Sequence, residues 1–483
     1  MMNPAPHPPV STRWSTATLL LALVTVLLTF GGVLVQEVHG TAVFYAAMAR
    51  EMVETGDLLS PFRGETGYLL KPPLAFWWGA ANSLVLGYSN LAMTLPSRLG
   101  GLACVWMTAL LALHIHRRAS AGWFAALLFL ANGIYIQFTT AFRLDSLMTF
   151  GALLVLWGYF NLPRTRGAVA LWGGIALSLM TKGPMVLVML LVLIPHALVS
   201  RHWAGCRPAL LRWSPILLVP IAWYGFIVMF HGDELARQLT QDFWRGDTSK
   251  LSRFDSVWLE YVTKPQQRLG PWLILIFMAL VHESRILLSR ETERRRRADA
   301  ALLLALTGMN LVIAVMKPDP DVRYLYTVLP LIAVMVGGMV SRWVGGEVPR
   351  WAVMCCAAAL LALLPAVVWY NLDRLDERRG LLAMEALADS GEFGAHNGML
   401  MVEYIPDPKA PRRNDPVTDA VYFYFGLKLE RVLRLPADAQ LPGRIRFLLV
   451  PQVPRLLDEA RKLNWPTRAQ SEKFRLLERP VAP

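Results

Sequence analysis

Charge is scarce in this chain. Asp, Glu, Lys and Arg make up 17% of its 483 residues, where a soluble domain carries about a quarter. Cysteine is scarcer still, at four residues. Cys104, Cys355 and Cys356 fall within apolar runs and Cys206 in a polar connection, with no metal-ligand spacing between them. A disulfide-stapled secreted domain and a Cys-based metal site are therefore excluded. Also missing are a Gly-rich phosphate loop, an HExxH pair and a hydrolase elbow. What the chain has in excess is apolar bulk: 55% hydrophobic residues, with 17 Trp, 20 Phe and 20 Met. That excludes a disordered protein and an ordinary cytosolic enzyme. The little charge present is lopsided, 48 Lys and Arg against 35 Asp and Glu, for a net +13. Basic balance can serve nucleic acid, but the long apolar runs account for it better, and no nucleic-acid partner is expected. In a polytopic membrane protein the excess sits in cytoplasmic loops.

A membrane helix needs about 20 largely apolar residues. Such runs occur at about 16–36, 91–113, 120–138, 146–162, 167–181, 184–200, 213–230, 271–289, 299–316, 324–341 and 351–370. The first, with no clear cleavage site after it, reads as an uncleaved anchor. The fold class is thus a polytopic α-helical membrane protein with about eleven spans. With the N-terminus in the cytoplasm, each inward connection carries at least two arginines: Arg117 and Arg118; Arg164 and Arg166; Arg201, Arg207 and Arg212; Arg285, Arg290 and Arg294–Arg297; Arg342 and Arg350. The run Arg294–Arg297 reads as a topology anchor, with anionic lipid headgroups as the alternative. Residues 1–370 form the membrane domain. Residues 371–483, richer in charge and proline and with short apolar runs around one helical stretch, read as a small soluble α/β domain on the outer side.

Long loops often carry function, so the outward connections hold the candidates. The first begins with Glu37 and His39. It continues with Thr41–Thr55, read as an amphipathic helix lying on the membrane surface. It then reaches Tyr68, Lys71, Pro72 and Pro73 before Phe76, Trp77 and Trp78. An ammonium among aromatics at the interface suits a lipid phosphate, and equally a snorkelling Lys in an aromatic belt. The second connection sets Arg143 and Asp145 at the mouth of a span; Asp145 reads as a functional acid or as a plain helix cap. The third is a tight turn holding Lys182 and Gly183, and the last runs from Lys317 through Asp319, Asp321, Arg323 and Tyr324 to Tyr326. His231, like His39, lies outside and could assist catalysis. Four outward connections each present a cation beside a membrane helix, a convergence fit for phosphate. One such charge at ~4 Å from a phosphate gains on the order of 4 kcal/mol at an effective dielectric of about 20.

The ordered segments AREMVETGD, YLLKPPLAFWW, LPSRLGGL, FRLDSLMTF, LMTKGP and RYLYTVLPL resemble the protein mannosyltransferase-like superfamily, most of all its bacterial aminoarabinose (lipid A) transferase branch. The resemblance covers about residues 16–340. It implies a GT-C glycosyltransferase fold and a polyprenyl-phosphate-linked sugar donor, used at the outer face of a bacterial inner membrane. The acceptor would be a lipid (lipid A-like), a glycan or a protein. It assigns donor-phosphate binding to Lys71, Tyr68, Lys182, Arg323 and Tyr326, and a catalytic acid to Asp145. His39, Arg143 and Lys317 are additional candidates. The family's loop acid, expected eight or nine residues before Arg50, is absent, because Thr41 and Ala42 stand there. Glu37 is the nearest replacement. The acid usual just before the Lys is Leu70. No cofactor is firmly implied, though a divalent cation has a place in the scheme. Two other classes remain: a multi-pass transporter or flippase, which predicts broken helices at the bilayer midplane, and an inactive lipid-binding relative.

Overall fold

The computed structural model describes residues 16–34, 36, 38, 41–63, 66–200, 205–244, 261, 263, 272–316, 321–373, 399–402, 423–424, 431–432, 447–451, 454–470 and 474–480. Glu37, His39 and Lys317 lie outside the described residues. The chain is mostly helical, and helix occupies each of the eleven apolar runs. In order these are α1 (Thr16–Phe30), α2 (Thr41–Thr55), α3 (Leu74–Leu86), α4 (Asn90–His116), α5 (Ala119–Leu130), α6 (Gly133–Thr139), α7 (Asp145–Phe160) and α8 (Thr165–Lys182). Then come α9 (Leu190–Ser200), α10 (Arg207–Trp213), α11 (Leu218–Trp244), α12 (Trp272–Leu288), α13 (Arg294–Met316), α14 (Leu329–Val344) and α15 (Arg350–Asp373).

Four helical runs among the described residues are long and apolar enough to cross a membrane: Asn90–His116, Arg207–Thr240, Arg294–Met316 and Arg350–Asp373. The pair α5 and α6, bent by 68° at Ala131 and Asn132, makes a fifth if taken as one span. Asn132 caps α6, its side chain accepting from the Tyr135 N–H at 2.7 Å. Large apolar side chains on the outside of the bundle stay exposed, among them Val85, Leu191, Met229, Phe277, Leu288 and Leu361. In water such a surface would aggregate, and hydrocarbon is the solvent that suits it.

The connections expected on one side do meet one another. Arg118 donates to the Ser341 carbonyl at 2.8 Å and Ser120 to the Gly345 carbonyl at 2.7 Å. Arg296 donates to Glu283 at 2.5 Å, and Glu283 is fully buried. At the opposite end the N-terminus of α7 meets the C-terminus of α8. These helices pack so closely that a Cβ on Gly151 would lie 2.2 Å from the Ser178 hydroxyl. Small residues allow such backbone approach between membrane helices.

Helix α2 forms as the sequence predicts, but it does not lie on a surface. Residues Ala42 to Ala49 are all buried. Around it pack Phe76 and Met93 on one side and Phe423, Tyr424, Phe447, Leu449 and Leu476 of the C-terminal region on the other. The apolar residues go all round the helix because two partners, not one, cover it. Strands β1 (Phe62–Arg63) and β2 (Thr66–Gly67) pair between α2 and α3, and the C-terminal strands β3 (Met399–Val402), β4 (Arg431–Val432), β5 (Phe447–Pro451), β6 (Thr467–Gln470) and β7 (Phe474–Glu478) form one mixed sheet, ordered β4-β3-β5-β7-β6. Along β5, Phe447 and Leu449 face α2, while Leu448 and Val450 pack with Ala460 of α16 (Pro454–Arg461) and with Trp465. A strand covered on both faces is apolar throughout, which explains the run FLLV.

Candidate functional site

The hairpin of α7 and α8 decides where the first pair of functional groups meets. The helices run antiparallel, so the first residue of α7, Asp145, and the last of α8, Lys182, share one end. Each sits at the helix terminus whose dipole favours its charge. The Lys182 ammonium donates to the Asp145 carboxylate, 37 residues away, and both side chains are largely buried. Gly183, at φ 99°, ends α8 in a conformation that would strain any other residue. The capping alternative for Asp145 does not hold: Leu144 is the N-cap, and no side-chain cap bond forms there.

Two adjoining cavities open at this end. The smaller is lined by Tyr45, Lys71, Arg143, Leu144, Asp145, Lys182, Arg323 and Tyr324. The larger, about 170 Å³, shares Lys71, Lys182, Arg323 and Tyr324 and adds Tyr68 at its mouth. Its far wall is apolar, formed by Ala152, Leu153, Leu156, Val186, Met189, Ile313, Ala314 and Leu331. Lys182 lies 5.4 Å from the Tyr324 ring centre and Arg323 lies 5.2 Å from it. Arg323 also pairs with Asp321 at 3.3 Å, and the Asp321 carboxylate accepts from the Arg323 N–H at 2.8 Å, capping the short turn Val322–Thr327. Lys71, Arg143, Lys182 and Arg323 therefore face these cavities, with Asp145 as their single carboxylate among the described lining residues.

The other expected residues are placed as follows. Tyr326 turns away from the cavities. It is fully buried, its hydroxyl bonded to Thr139 at 2.8 Å and its ring edge-on to Phe129. In a turn of three residues per repeat, neighbours two apart face different sides, and Tyr324 takes the cavity position instead. His231 breaks α11 and bonds Ser60 at 3.1 Å, outside both linings. A divalent cation does not fit the mouth described here: one carboxylate already held by Lys182 among four cations is a poor ligand set. Among the described residues no group of three or more His, Cys, Asp or Glu could hold a metal ion.

Sequence reasoning placed Tyr324 in its connection without giving it a role at the site, and missed Tyr45 and the socket that holds the Thr139–Asp145 loop. Ser97 donates to the Arg143 carbonyl at 2.7 Å and accepts from the Arg143 N–H at 2.9 Å. Arg98, fully buried, donates to the Thr140 carbonyl at 3.0 Å, to the Thr94 hydroxyl at 2.9 Å and to Gln36 at 3.3 Å. An arginine within the apolar run 91–113 was the available signal.

Residues 12–235 match the family of dolichyl-phosphate-mannose-protein mannosyltransferases. An undecaprenyl phosphate-alpha-4-amino-4-deoxy-L-arabinose arabinosyl transferase of Pseudomonas fluorescens is 25% identical over 374 residues, 71% of this chain and 64% of that protein. Its counterpart in Aeromonas salmonicida is 29% identical over 196 residues, 37% and 33% of the two chains. The crystal structure of ArnT from Cupriavidus metallidurans bound to undecaprenyl phosphate matches with a TM-score of 0.63 at 17% identity, covering 98% of this chain and 99% of that one. The chain is thus similar to protein mannosyltransferases over residues 12–235 and to ArnT in fold along nearly its whole length. Its fold is also similar to that of the oligosaccharyltransferase AglB from Archaeoglobus fulgidus, with a TM-score of 0.51 at 12% identity over 92% of this chain and 70% of that chain. The chain is mostly helical and its fold resembles the GT-C folds of ArnT and AglB, while the sequence matches span 64% and 33% of the two curated relatives' length.

Proposed function

We propose that this protein is an integral-membrane glycosyltransferase that moves a sugar from a polyprenyl-phosphate donor to a lipid A-like acceptor at the periplasmic face of a bacterial inner membrane. The observation that carries it is the joined cavity, with four cations at its mouth and an apolar wall beyond. A phosphate esterified to a long hydrocarbon has that same division of chemistry. The similarity to arabinosyl transferases named for undecaprenyl phosphate supports the reading.

In this scheme Lys71, Lys182 and Arg323, with Tyr68 beside them, stabilise the charge that grows on the departing polyprenyl phosphate, the main electrostatic demand of the step. Asp145 is paired with Lys182 and close to two arginines, so it orients the cations better than it removes a proton. A phosphate acceptor attacks the anomeric carbon as an oxyanion and requires no base, in keeping with the missing family acid before Arg50. A hydroxyl acceptor would need one, and Glu37 is the candidate. The donor's anomeric centre inverts. The protein has eleven spans with an inward N-terminus, a membrane domain of residues 1–370, and an outward C-terminal domain of residues 371–483 whose sheet rests on α2.

The transporter alternative gains little from the α5–α6 bend, since that break leads directly into the loop carrying Arg143 and Asp145. The test supplies membranes with and without the protein with labelled polyprenyl-phosphate sugars. Transfer to lipid is expected, Lys71→Ala should abolish donor binding, and Glu37→Gln should leave binding intact. Absence of both product and donor binding with the wild type would sink the enzyme reading.

A further inference from the structure

Threonines in the membrane helices mostly return their hydroxyl to the carbonyl one turn back. Thr25, Thr94, Thr108, Thr140 and Thr181 do so at 2.6–2.8 Å. This is the ordinary way to satisfy a hydroxyl in hydrocarbon. Thr149 does not. It is 1% exposed, and its Oγ1 has no hydrogen-bond partner among the described residues. Leaving a buried hydroxyl unpaired costs stability, so the position calls for a partner that arrives from elsewhere. The Ser146 and Thr307 hydroxyls are also unpaired, but neither residue lines the cavities described above. Thr149 lines the larger one.

Its position along α7 identifies the partner. Asp145, Thr149, Leu153 and Leu156 form one helical stripe, all facing the joined cavities. Thr149 is one turn beyond Asp145, about 6 Å along the axis. Before it come the cations, and after it the same lining turns largely apolar with Ala152, Leu153, Leu156, Val186 and Met189. Two other polar side chains of that lining donate to backbone instead: Asn310 to the Leu306 carbonyl at 2.8 Å and Thr327 to the Tyr324 carbonyl at 3.0 Å. What lies at that boundary in a polyprenyl phosphate is the joint between phosphate and hydrocarbon. We propose that the Thr149 hydroxyl donates a hydrogen bond to the phosphate of the bound polyprenyl phosphate from the hydrocarbon side, opposite Lys71, Lys182 and Arg323, and so sets the depth at which the head group rests. This rests on the donor reading above and adds a phosphate ligand to it.

The test is equilibrium binding to the purified full-length protein in nanodiscs. The probes are a long-chain polyprenyl monophosphate, the matching polyprenol, and inorganic phosphate, each with wild type, Thr149→Val and Thr149→Ser. Val has the shape of Thr without the hydroxyl; Thr149→Ala serves in its place if Val is not tolerated. A hydrogen bond to a charged group predicts roughly tenfold or greater weakening of polyprenyl phosphate binding in Thr149→Val. Polyprenol binding should be unchanged, and Ser should restore near wild-type affinity. Inorganic phosphate should bind far more weakly than the lipid, as a head group fixed by its chain requires. Equal polyprenyl phosphate affinity in wild type and Thr149→Val would overturn the role of Thr149 and leave the donor reading standing. Equal weakening for polyprenol would assign Thr149 to packing and overturn it too. Free phosphate matching the lipid would overturn the depth-setting role, and wild type that binds no polyprenyl phosphate would overturn the donor reading and this proposal together.

Discussion

Lys182 closes an ion pair with Asp145 across the open end of the α7–α8 hairpin, 37 residues away in sequence and with both side chains largely buried. The pair fixes one of the four cavity cations, and it makes each partner dependent on the other. Removing one side of a buried pair strands a charge and costs about 3–5 kcal/mol. Asp145→Ala should therefore destabilise the protein by that order, while Asp145→Ala combined with Lys182→Met should cost clearly less than the sum of the single changes. Thermal unfolding of the four proteins in one detergent checks this; additivity would refute the coupling.

Tyr326 and Lys71 should separate cleanly. Tyr326→Phe removes only the bond to Thr139 and leaves the cavity lining intact, so donor affinity should stay within about twofold of wild type, with a stability loss of about 1 kcal/mol. Lys71→Ala should weaken it by tenfold or more, since it deletes a cation from both cavities. A titration of both variants with polyprenyl phosphate decides; a large loss with Tyr326→Phe would return that residue to the phosphate.

The socket under the Thr139–Asp145 loop predicts a remote effect on activity. Ser97→Ala leaves both the N–H and the carbonyl of Arg143 without their partner, at about 1–3 kcal/mol each if buried. Turnover should fall because Arg143 and Asp145 lose their placing. Gly101→Ala should be worse, as its Cβ would lie 2.3 Å from Thr139 Cγ2. Gly173→Ala is the control: its Cβ would meet open space and should stabilise α8 by about 0.5–1 kcal/mol. Transfer rates alongside unfolding temperatures would show whether the socket matters.

At the other end, Arg296→Ala should be among the most destabilising changes away from the cavity. Glu283 is 0% exposed, and it would lose its charged partner. About 3–5 kcal/mol is expected, with partial relief from adding Glu283→Gln. Denaturation of the single and double variants measures it, and a single variant as stable as wild type would contradict the pairing.

Much of this was legible beforehand for a simple reason. A run of about 20 apolar residues has few destinations, and arginines at alternate connections mark sides, so the apolar runs and the grouping of Lys71, Arg143, Asp145, Lys182 and Arg323 could be read from order alone. What local pattern could not reveal was direction. Tyr324 and Tyr326 are both phenols beside Arg323, and only the short turn Val322–Thr327 sends one to the cavity and the other into the core. Helix α2 has the same ambiguity: its apolar side chains run nearly all round, and whether lipid or protein covers them depends on strands some 350–430 residues further on.

The sequence by itself determined the medium and the inventory: long apolar runs that satisfy their backbone in a membrane as helices, and a handful of cations in the connections between them with few carboxylates beside them. The tertiary structure decided the rest, because pairing is a property of distance in space. It joined Asp145 to Lys182, turned Tyr326 inward, set the C-terminal sheet against α2, and left the Thr149 hydroxyl without a partner among the described residues at the border between charge and hydrocarbon.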